Sequence, residues 1–409
     1  MATKIVHVID VFPSKSETFI VNYIYATLQY GYSAQLLVNT LGSIEKSSQQ
    51  DLLKKTGLFK SAKTYNSKLP KNKIKRLLLA TSVLILNYKD ALVFFRTLNF
   101  KKYGLKSKTL KMWFQAAVFL EYKDVSHFHA HFGLNGKLLS EMKEIGAIKG
   151  KIITSFYGYD TYSTTETNHY FRHYYSDTFK NSSHIVTSSN YLLNNLLKLN
   201  VPLEKVMVNP VGVDLEIFKF KKRNYDGILN IITVGRLIKL KGQHIGIDVI
   251  KVLTDKGYKI KYTIVGGGEE YEALVQKITK LKLQDSIVLV GVSSQTEILK
   301  LLHRHHLFLM TSVIDEKGRA EAQGLVSAEA QATGLPIVGF GTGGIPETII
   351  NEKTGYIVNE GDVNAMAEAV EKFILDPKLA GVMGLKARSF IEEKFNNRIQ
   401  SQNIMNLYN

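Results

Sequence analysis

Short apolar runs alternate with longer amphipathic stretches over most of the chain, and each run is about one strand long. The first set comprises Ile5 to Val8, Ser33 to Val38, His127 to His129, Ile152 to Ser155 and His184 to Thr187. A second set comprises Ile228 to Val234, Lys259 to Val265, Ile287 to Val290, Leu307 to Met310 and Pro336 to Gly339. Strands separated by helical patterns predict an α/β architecture, with parallel sheets covered by helices on both faces. The basic run Lys219 to Arg223 and then Asp226-Gly227 precede Ile228, so the second set reads as a new domain starting near residues 212–228. The segment Ser389 to Asn409 is helical in pattern, with Phe390, Ile391, Phe395, Ile399, Ile404 and Leu407 at three- and four-residue steps. Periodicity alone leaves two roles for it: closing its own domain, or crossing back to the first.

Length agrees with two domains, since 409 residues exceed one ordinary core. The absence of Cys excludes disulfides, a thiolate metal site and a thiol nucleophile. Net charge changes the picture more, because a value of +17 suggests an anionic partner. From Lys54 to Lys111 there are 14 Lys and 2 Arg against one acid, Asp90, so this stretch holds +15 and the rest of the chain only +2. Apolar residues are interleaved with it: Leu77 to Leu79, Val83 to Leu86, Ala91 to Phe95, and Trp113 with Phe114. The longest apolar run, Leu77 to Leu86, has ten residues, half of what a spanning helix needs. One reading is a set of core helices with solvated lysine faces. The sharper one is a surface resting on anionic lipid, where each cation near the headgroups contributes ~1 kcal/mol. No helix-turn-helix, zinc-finger or RNP pattern accompanies the aromatics, so nucleic acid is not the expected partner. Lys4 to Asp10 reads as a buried strand rather than a signal peptide. The expected compartment is the cytoplasm, at the inner face of the plasma membrane if the basic stretch binds lipid.

Candidate chemistry concentrates in residues 312–348. Glu321 and Glu329 stand eight apart around Gly324 and Leu325, followed by Gly334-Leu335-Pro336 and then Gly343-Gly344-Ile345-Pro346-Glu347. Glu321 and Gly324 fall in the loop after a strand and Glu329 in the next helix, and such loops are where open α/β sheets bind ligands. Backbone N–H groups at Gly324 and Leu325 suit polyol or phosphate oxygens. A second group, Gly235-Arg236-Leu237 with Lys241-Gly242, puts two cations five apart after a strand, suited to gripping a diphosphate. The next strand runs into Gly266-Gly267-Gly268, which lacks the dinucleotide-fingerprint spacing. In the first half, His127, His129 and His131 would share one strand face, a possible metal arrangement with no carboxylate nearby to complete it. Ser16 and Glu17, and Tyr157 with Asp160, lie in loops at the same sheet edge. The Asp-x-Asp pair of many metal-dependent sugar transferases does not occur.

These motifs together resemble the retaining glycosyltransferase family 4, and the N-terminal Phe12-Pro13…Ser16-Glu17-Thr18-Phe19, His129-Ala130-His131-Phe132-Gly133 and Tyr157-Gly158-Tyr159-Asp160 are similar to its bacterial exopolysaccharide members of the colanic-acid and amylovoran type. The resemblance implies a GT-B fold, two Rossmann-like domains facing across a cleft. They would be an acceptor-side domain over 1–215 with a basic, apolar insert at about 54–114, a nucleotide-sugar domain over 216–388, and a helix over 389–409 returning to the first domain. It implies a retaining transfer from a UDP- or GDP-sugar to a glycan acceptor, lipid-linked on the strength of the basic stretch, without metal or other cofactor. Arg236 and Lys241 would hold the donor diphosphate, Glu321 the transferred sugar and Glu329 the ribose. Gly235, Gly267, Val292, Gly324, Leu325 and Glu347 would line the donor, and Ser16, Glu17, His131, Tyr157 and Asp160 the acceptor. One position departs: Tyr157 stands where the family often has histidine in a His-Gly-x-Asp loop. Tyrosine is a poor base at neutral pH, its reference pKa being ~10, so that role either moves to His131 or Glu17 or the position only shapes the acceptor pocket. Two other functions fit the same residues, a polyanion- or membrane-binding protein on a degenerate scaffold and a sugar-nucleotide epimerase.

Overall fold

The computed structural model describes residues 3–14, 18–47, 49–66, 69–161, 168–225 and 227–409. Ser16 and Glu17 lie outside these described residues. Among them, two parallel sheets form. The first contains β1 (Lys4–Phe12), β2 (Ser33–Leu41), β3 (Lys63–Thr64), β4 (His127–His131), β5 (Lys151–Phe156), β6 (His184–Thr187) and β7 (Val206–Val208), in spatial order β3-β2-β1-β4-β5-β6-β7. The second contains β8 (Leu229–Val234), β9 (Ile260–Val265), β10 (Ile287–Gly291), β11 (Leu307–Met310), β12 (Ile337–Phe340) and β13 (Gly355–Val358), in order β10-β9-β8-β11-β12-β13. In both sheets the chain winds outward first to one side and then to the other. The strand order reverses between β1 and β4 in the first and between β8 and β11 in the second, and each reversal opens a crevice at the carboxyl ends of the strands.

The central strands are buried on both faces: β11 is wholly apolar, and β4, although three of its five residues are histidine, is buried at every position. The ten expected strands all form. The three that the apolar pattern does not reveal, β3, β7 and β13, are each the edge of a sheet. Covered on one side only, they are partly exposed and read as loop.

The chain crosses between the sheets twice, and the crossings touch. Val213 forms a parallel bridge with Asn396, its N–H donating to the Phe395 carbonyl at 2.6 Å and its carbonyl accepting from Asn397 at 3.0 Å. The single helix expected over Ser389 to Asn409 is therefore two. Helix Pro377–Lys394 packs Ile391 into the second core, and helix Asn397–Asn406 packs Ile404, Met405 and Tyr408 against Ile5, Tyr23 and Ile153 of the first. The break falls at the Asn396 cap, whose side chain accepts from the Arg398 N–H and starts a new helix.

Between β3 and β4 the basic stretch folds into short helices that cover one face of the first sheet, with Ala80, Phe94, Trp113 and Phe119 in that core. The expectation of core helices with lysine-rich outer faces holds for the inner side only. On helix Lys73–Leu86 the outer positions Ile74, Leu77, Leu78 and Ile85 are all more than 60% exposed.

Candidate active site

Two clusters stand at the two crevices. The loop after β8 carries Gly235, Arg236 and Lys241, and its shape depends on glycine. Gly242, at φ +63°, lies so close to the loop after β11 that a Cβ would sit 2.0 Å from the Thr311 carbonyl oxygen. Thr311 Oγ1 donates to the Lys241 carbonyl at 2.9 Å and the Val313 N–H to the Leu240 carbonyl at 2.8 Å, fastening the loops on either side of the crevice together. Gly267 packs beneath Val292, where a Cβ would come 2.6 Å from its Cγ2, and Val292 is 84% exposed above the turn. Arg236, Gly267 and the loop Val313 to Arg319 border an open cleft of about 830 Å³.

Within this cluster the side chains differ in state. Arg236 is exposed, with no ion pair or side-chain hydrogen bond among the described residues. Lys241 and Glu321, expected to serve the diphosphate and the sugar separately, form an ion pair with each other, both largely buried. Gly324 caps helix Leu325–Ala332 in a left-handed conformation, and the first N–H groups of that helix have no partner within it. On the same helix the carboxyl of Glu329 has no partner among the described residues. Burial pushes its pKa up to about 8, because desolvation disfavours the charged form. A group held neutral for want of a donor is suited to receiving hydroxyl hydrogen bonds from a ligand.

Glu347 does not join them. Its Oε2 accepts from Asn190 N at 2.8 Å and Asn190 Nδ2 at 2.9 Å, and its Oε1 from Tyr191 N at 2.8 Å. The carboxylate caps helix Asn190–Lys198 of the first domain, where the helix dipole favours negative charge. It is thus a docking group between the sheets rather than a lining of the donor cleft. Two residues not singled out from the sequence act beside it. Ser189 Oγ donates to the Ala322 carbonyl at 2.6 Å, and the buried Gln323 amide bonds both the N–H and the carbonyl of Val211, at 2.7 and 2.9 Å. A glutamine amid small residues in the Glu321–Glu329 segment was the available sign; its partner, over a hundred residues earlier, was not.

The first crevice is built from side chains. His129 and His131 point to one face of β4, and His7 joins them because β1 pairs His7 with His129. His127 shares that face, its ring 5.9 Å from that of Tyr408, but it bonds Ser126 at 3.0 Å and lies outside the close cluster. A chain of hydrogen bonds runs inward from the crevice, from Tyr157 OH to His131 Nδ1 (3.1 Å), from His131 Nε2 to His7 Nδ1 (3.1 Å), and from His7 Nε2 to Thr27 Oγ1 (3.3 Å). The Thr27 hydroxyl donates to the Tyr23 carbonyl at 3.0 Å, so its oxygen accepts from His7 Nε2–H. With neutral rings this orders the whole series. His131 Nε2–H donates to His7 Nδ1, and Tyr157 O–H donates to His131 Nδ1, leaving the Tyr157 oxygen to present lone pairs only. The rings are neutral because burial lowers all three: His129 falls to about 3, and His7 and His131 lie well below the usual value, their mutual proximity adding to the effect.

The three imidazoles are near enough to share a metal ion, but each ring nitrogen already has a partner, His129 bonding Tyr408 OH at 2.6 Å and Ser155 Oγ at 2.8 Å. As packed, the group is a hydrogen-bonded network. His131 is wholly buried, so it stands behind Tyr157 rather than facing an acceptor. Asp160 is also corrected: it is buried and accepts from the Gly133, Gly158 and Tyr157 N–H groups at 2.7, 3.0 and 3.3 Å. Burial lifts its pKa to about 6 against the pull of those bonds, and it ties the Tyr157 loop to the start of helix Gly133–Ile145.

Comparison with known proteins agrees with this arrangement. Residues 214–390 match the family described as glycosyl transferases group 1. The chain is 28% identical over 97% of its length, and 97% of the relative's, to the colanic acid biosynthesis glycosyltransferase WcaL of Escherichia coli. It is 28% identical over 95% of both chains to the amylovoran biosynthesis glycosyltransferase AmsK of Erwinia amylovora. Among solved structures, Anabaena HepE in complex with UDP superposes with a TM-score of 0.74 over 99% of both chains at 16% identity, and TarM with 0.70 over 100% of this chain and 99% of its own at 15%. Two parallel sheets facing across paired crevices give the chain the GT-B fold, its second domain matches glycosyl transferases group 1, and its whole length is similar to exopolysaccharide glycosyltransferases of the family 4 type.

Proposed function

We propose that the protein transfers a sugar from a UDP- or GDP-sugar, with retention and without a metal, to a lipid-linked glycan acceptor during assembly of an exopolysaccharide. The observation that carries this reading is the exposed, unpaired Arg236 beside Lys241 at the reversal point of the second sheet. A departing nucleoside diphosphate develops negative charge, and fixed cations at that point are a large catalytic contribution. Arg236 is free to fork onto the diphosphate, and donor binding competes with Glu321 for Lys241. Once released, the Glu321 carboxylate can accept from sugar hydroxyls, while Glu329 takes the ribose diol. Val292 above Gly267 provides an apolar edge for the base. On the facing crevice the Tyr157 oxygen accepts a hydrogen bond from the incoming hydroxyl, and its bond to His131 Nδ1 fixes its aim, so the tyrosine orients the acceptor and does not act as a base. The polysaccharide context rests on the names of the full-length relatives, and the UDP reading draws support from the HepE complex.

Thermal melting with a panel of UDP- and GDP-sugars tests the donor half, because a ligand bound to the native state raises apparent stability. One nucleotide class should raise the melting temperature of the wild type and fail to do so for Arg236→Ala. Stabilisation that survives in Arg236→Ala would remove the diphosphate assignment. The anomeric configuration of the product, read by NMR, tests retention, and isomerised donor formed without acceptor would replace transfer by epimerisation.

A further inference from the structure

Eleven large apolar side chains between Ile74 and Leu105 are exposed, within a stretch whose one acid, Asp90, is paired to Lys123. They form a continuous feature. Helix Lys73–Leu86 presents Ile74, Leu77, Leu78 and Ile85 along one stripe, and Leu86, at 81% exposure, ends it. After a sharp turn, Leu92 and Phe95 continue the surface on helix Ala91–Thr97, the two helical segments meeting at 96°. Leu105 extends it at 77% exposure. These side chains are not loosely folded. The inner face of the same helices is pinned by Trp113 Nε1 donating to the Ala80 carbonyl at 3.2 Å, by Arg96 to the Ile145 carbonyl at 3.2 Å, and by Lys106 with Glu141 at 2.7 Å. The outer leucines are thus held outward by a packed support.

Cations flank this apolar surface. Lys71, Lys73, Lys75, Lys101 and Lys108 are exposed and make no ion pair among the described residues. An apolar strip edged by unpaired lysines is complementary to an anionic lipid surface, where leucine and isoleucine enter the acyl boundary and ammonium groups stay among the headgroups. No single helix among the described residues is long and apolar enough to cross a membrane. The chain enters this insert from a residue tied to the crevice. Tyr65, just before the insert helices, donates to Asn135 at 3.1 Å, and Asn135 donates to the carbonyl of His131 at 2.7 Å.

We propose that residues 71–108 are a membrane-docking face, lying in the interface of an anionic bilayer with Leu77, Leu78, Ile85 and Leu86 inserted and the flanking lysines on phosphate headgroups. The face carries the enzyme to the phase where a lipid-linked acceptor would reside. Docking itself does not depend on the transfer reading.

The chain has no Cys, so Leu78→Cys carries a single environment-sensitive dye without competing labels. Vesicles of phosphatidylcholine alone are compared with vesicles containing phosphatidylglycerol. The protein should sediment with the anionic vesicles at low salt and shift the dye to the blue. Changing Lys71, Lys73 and Lys75 together to Gln should weaken binding by about a hundredfold. The paired change Leu77→Ser with Leu78→Ser should abolish insertion while leaving the melting temperature unchanged, since both side chains are already exposed. Equal binding to neutral vesicles, or no dye shift on anionic ones, overturns the proposal. Resistance to alkaline extraction would make the segment membrane-spanning and overturn it too. A dimer in sedimentation equilibrium that the Leu77/Leu78 serine pair dissolves would assign the face to a second copy instead. A soluble short acceptor turned over equally by the serine pair would show that the face serves docking and not the chemistry, whether or not the donor assignment stands.

Discussion

The two crevices hold their residues in opposite ways. At the second sheet the loops are shaped by backbone contacts, such as Gly242 against the Thr311 carbonyl, and the functional side chains are left unpaired or paired with one another: Arg236 free, Glu329 without a partner, Lys241 on Glu321. At the first sheet the candidates are engaged by their own protein. His131, His7 and His129 are buried and fully hydrogen-bonded, Asp160 holds backbone, and Tyr157 presents its oxygen. One edge is an open electrostatic socket, and the other is a pre-bonded interior with a single hydroxyl at its mouth. A donor with two phosphates needs charge waiting for it; an acceptor hydroxyl needs a well-aimed lone pair.

The largest test of this contrast is kinetic. Arg236→Ala should lower turnover by about a hundredfold to a thousandfold, by analogy with losing one preorganised donor, while an exposed and unpaired side chain leaves the melting temperature unchanged. Equal activity in the variant would erase the socket from the comparison. Acid should then weaken the first domain, with three strongly lowered histidines in one network, more than the second, where His305 is lowered to about 4. Neutral buried histidines have folded pKa values below the unfolded value near 6.5, so the unfolded state binds more protons below that pH and stability falls as pH drops. Three such groups give a slope of up to about 4 kcal/mol per pH unit below ~6. Replacing His7, His129 and His131 together by Phe, Gln and Gln would flatten that slope in urea titrations if the network is its source.

A smaller effect separates the partners of the network. Tyr408→Phe leaves His129 Nδ1 without its hydroxyl and should cost about 1–3 kcal/mol in denaturant unfolding, with donor-induced stabilisation untouched. On the other side, nucleotide binding should release up to about one proton at neutral pH. The carboxyl of Glu329, at about 8 when empty, falls as ribose hydroxyls donate to it. Calorimetry in buffers of different ionisation enthalpy reads this release, and its persistence in Glu329→Gln would assign the proton elsewhere. Least of all, Glu347→Gln should lower stability by about 1 kcal/mol through the helix cap, without changing donor affinity.

What was legible in the sequence follows the same division. Most central strands are apolar runs and could be read directly, whereas β3, β7 and β13 are edges of only two to four residues, too short to stand out. Loops after β8 and β11 could be located because glycine and charge stand at short spacing there. The positions of His7, Glu347 and Gln323 could not, since each is defined by a partner from another segment: His7 by β4, Glu347 by a helix start 156 residues earlier, Gln323 by the crossing near Val211. The insert was visible as charge, but which of its apolar residues faced outward depended on the support beneath it.

The touching crossings at Val213 and Asn396 give the two halves a mechanical relation. Two covalent connections fastened to each other behave as one pin, so rotation about that pin is the relative motion the backbone least resists. Displacement then grows with distance from the pin: a few degrees there sweep the rims of the crevices through a larger arc. Gln323 grips Val211, two residues from the pin, where the lever is shortest, while Arg236 and Tyr157 ride on opposite arms.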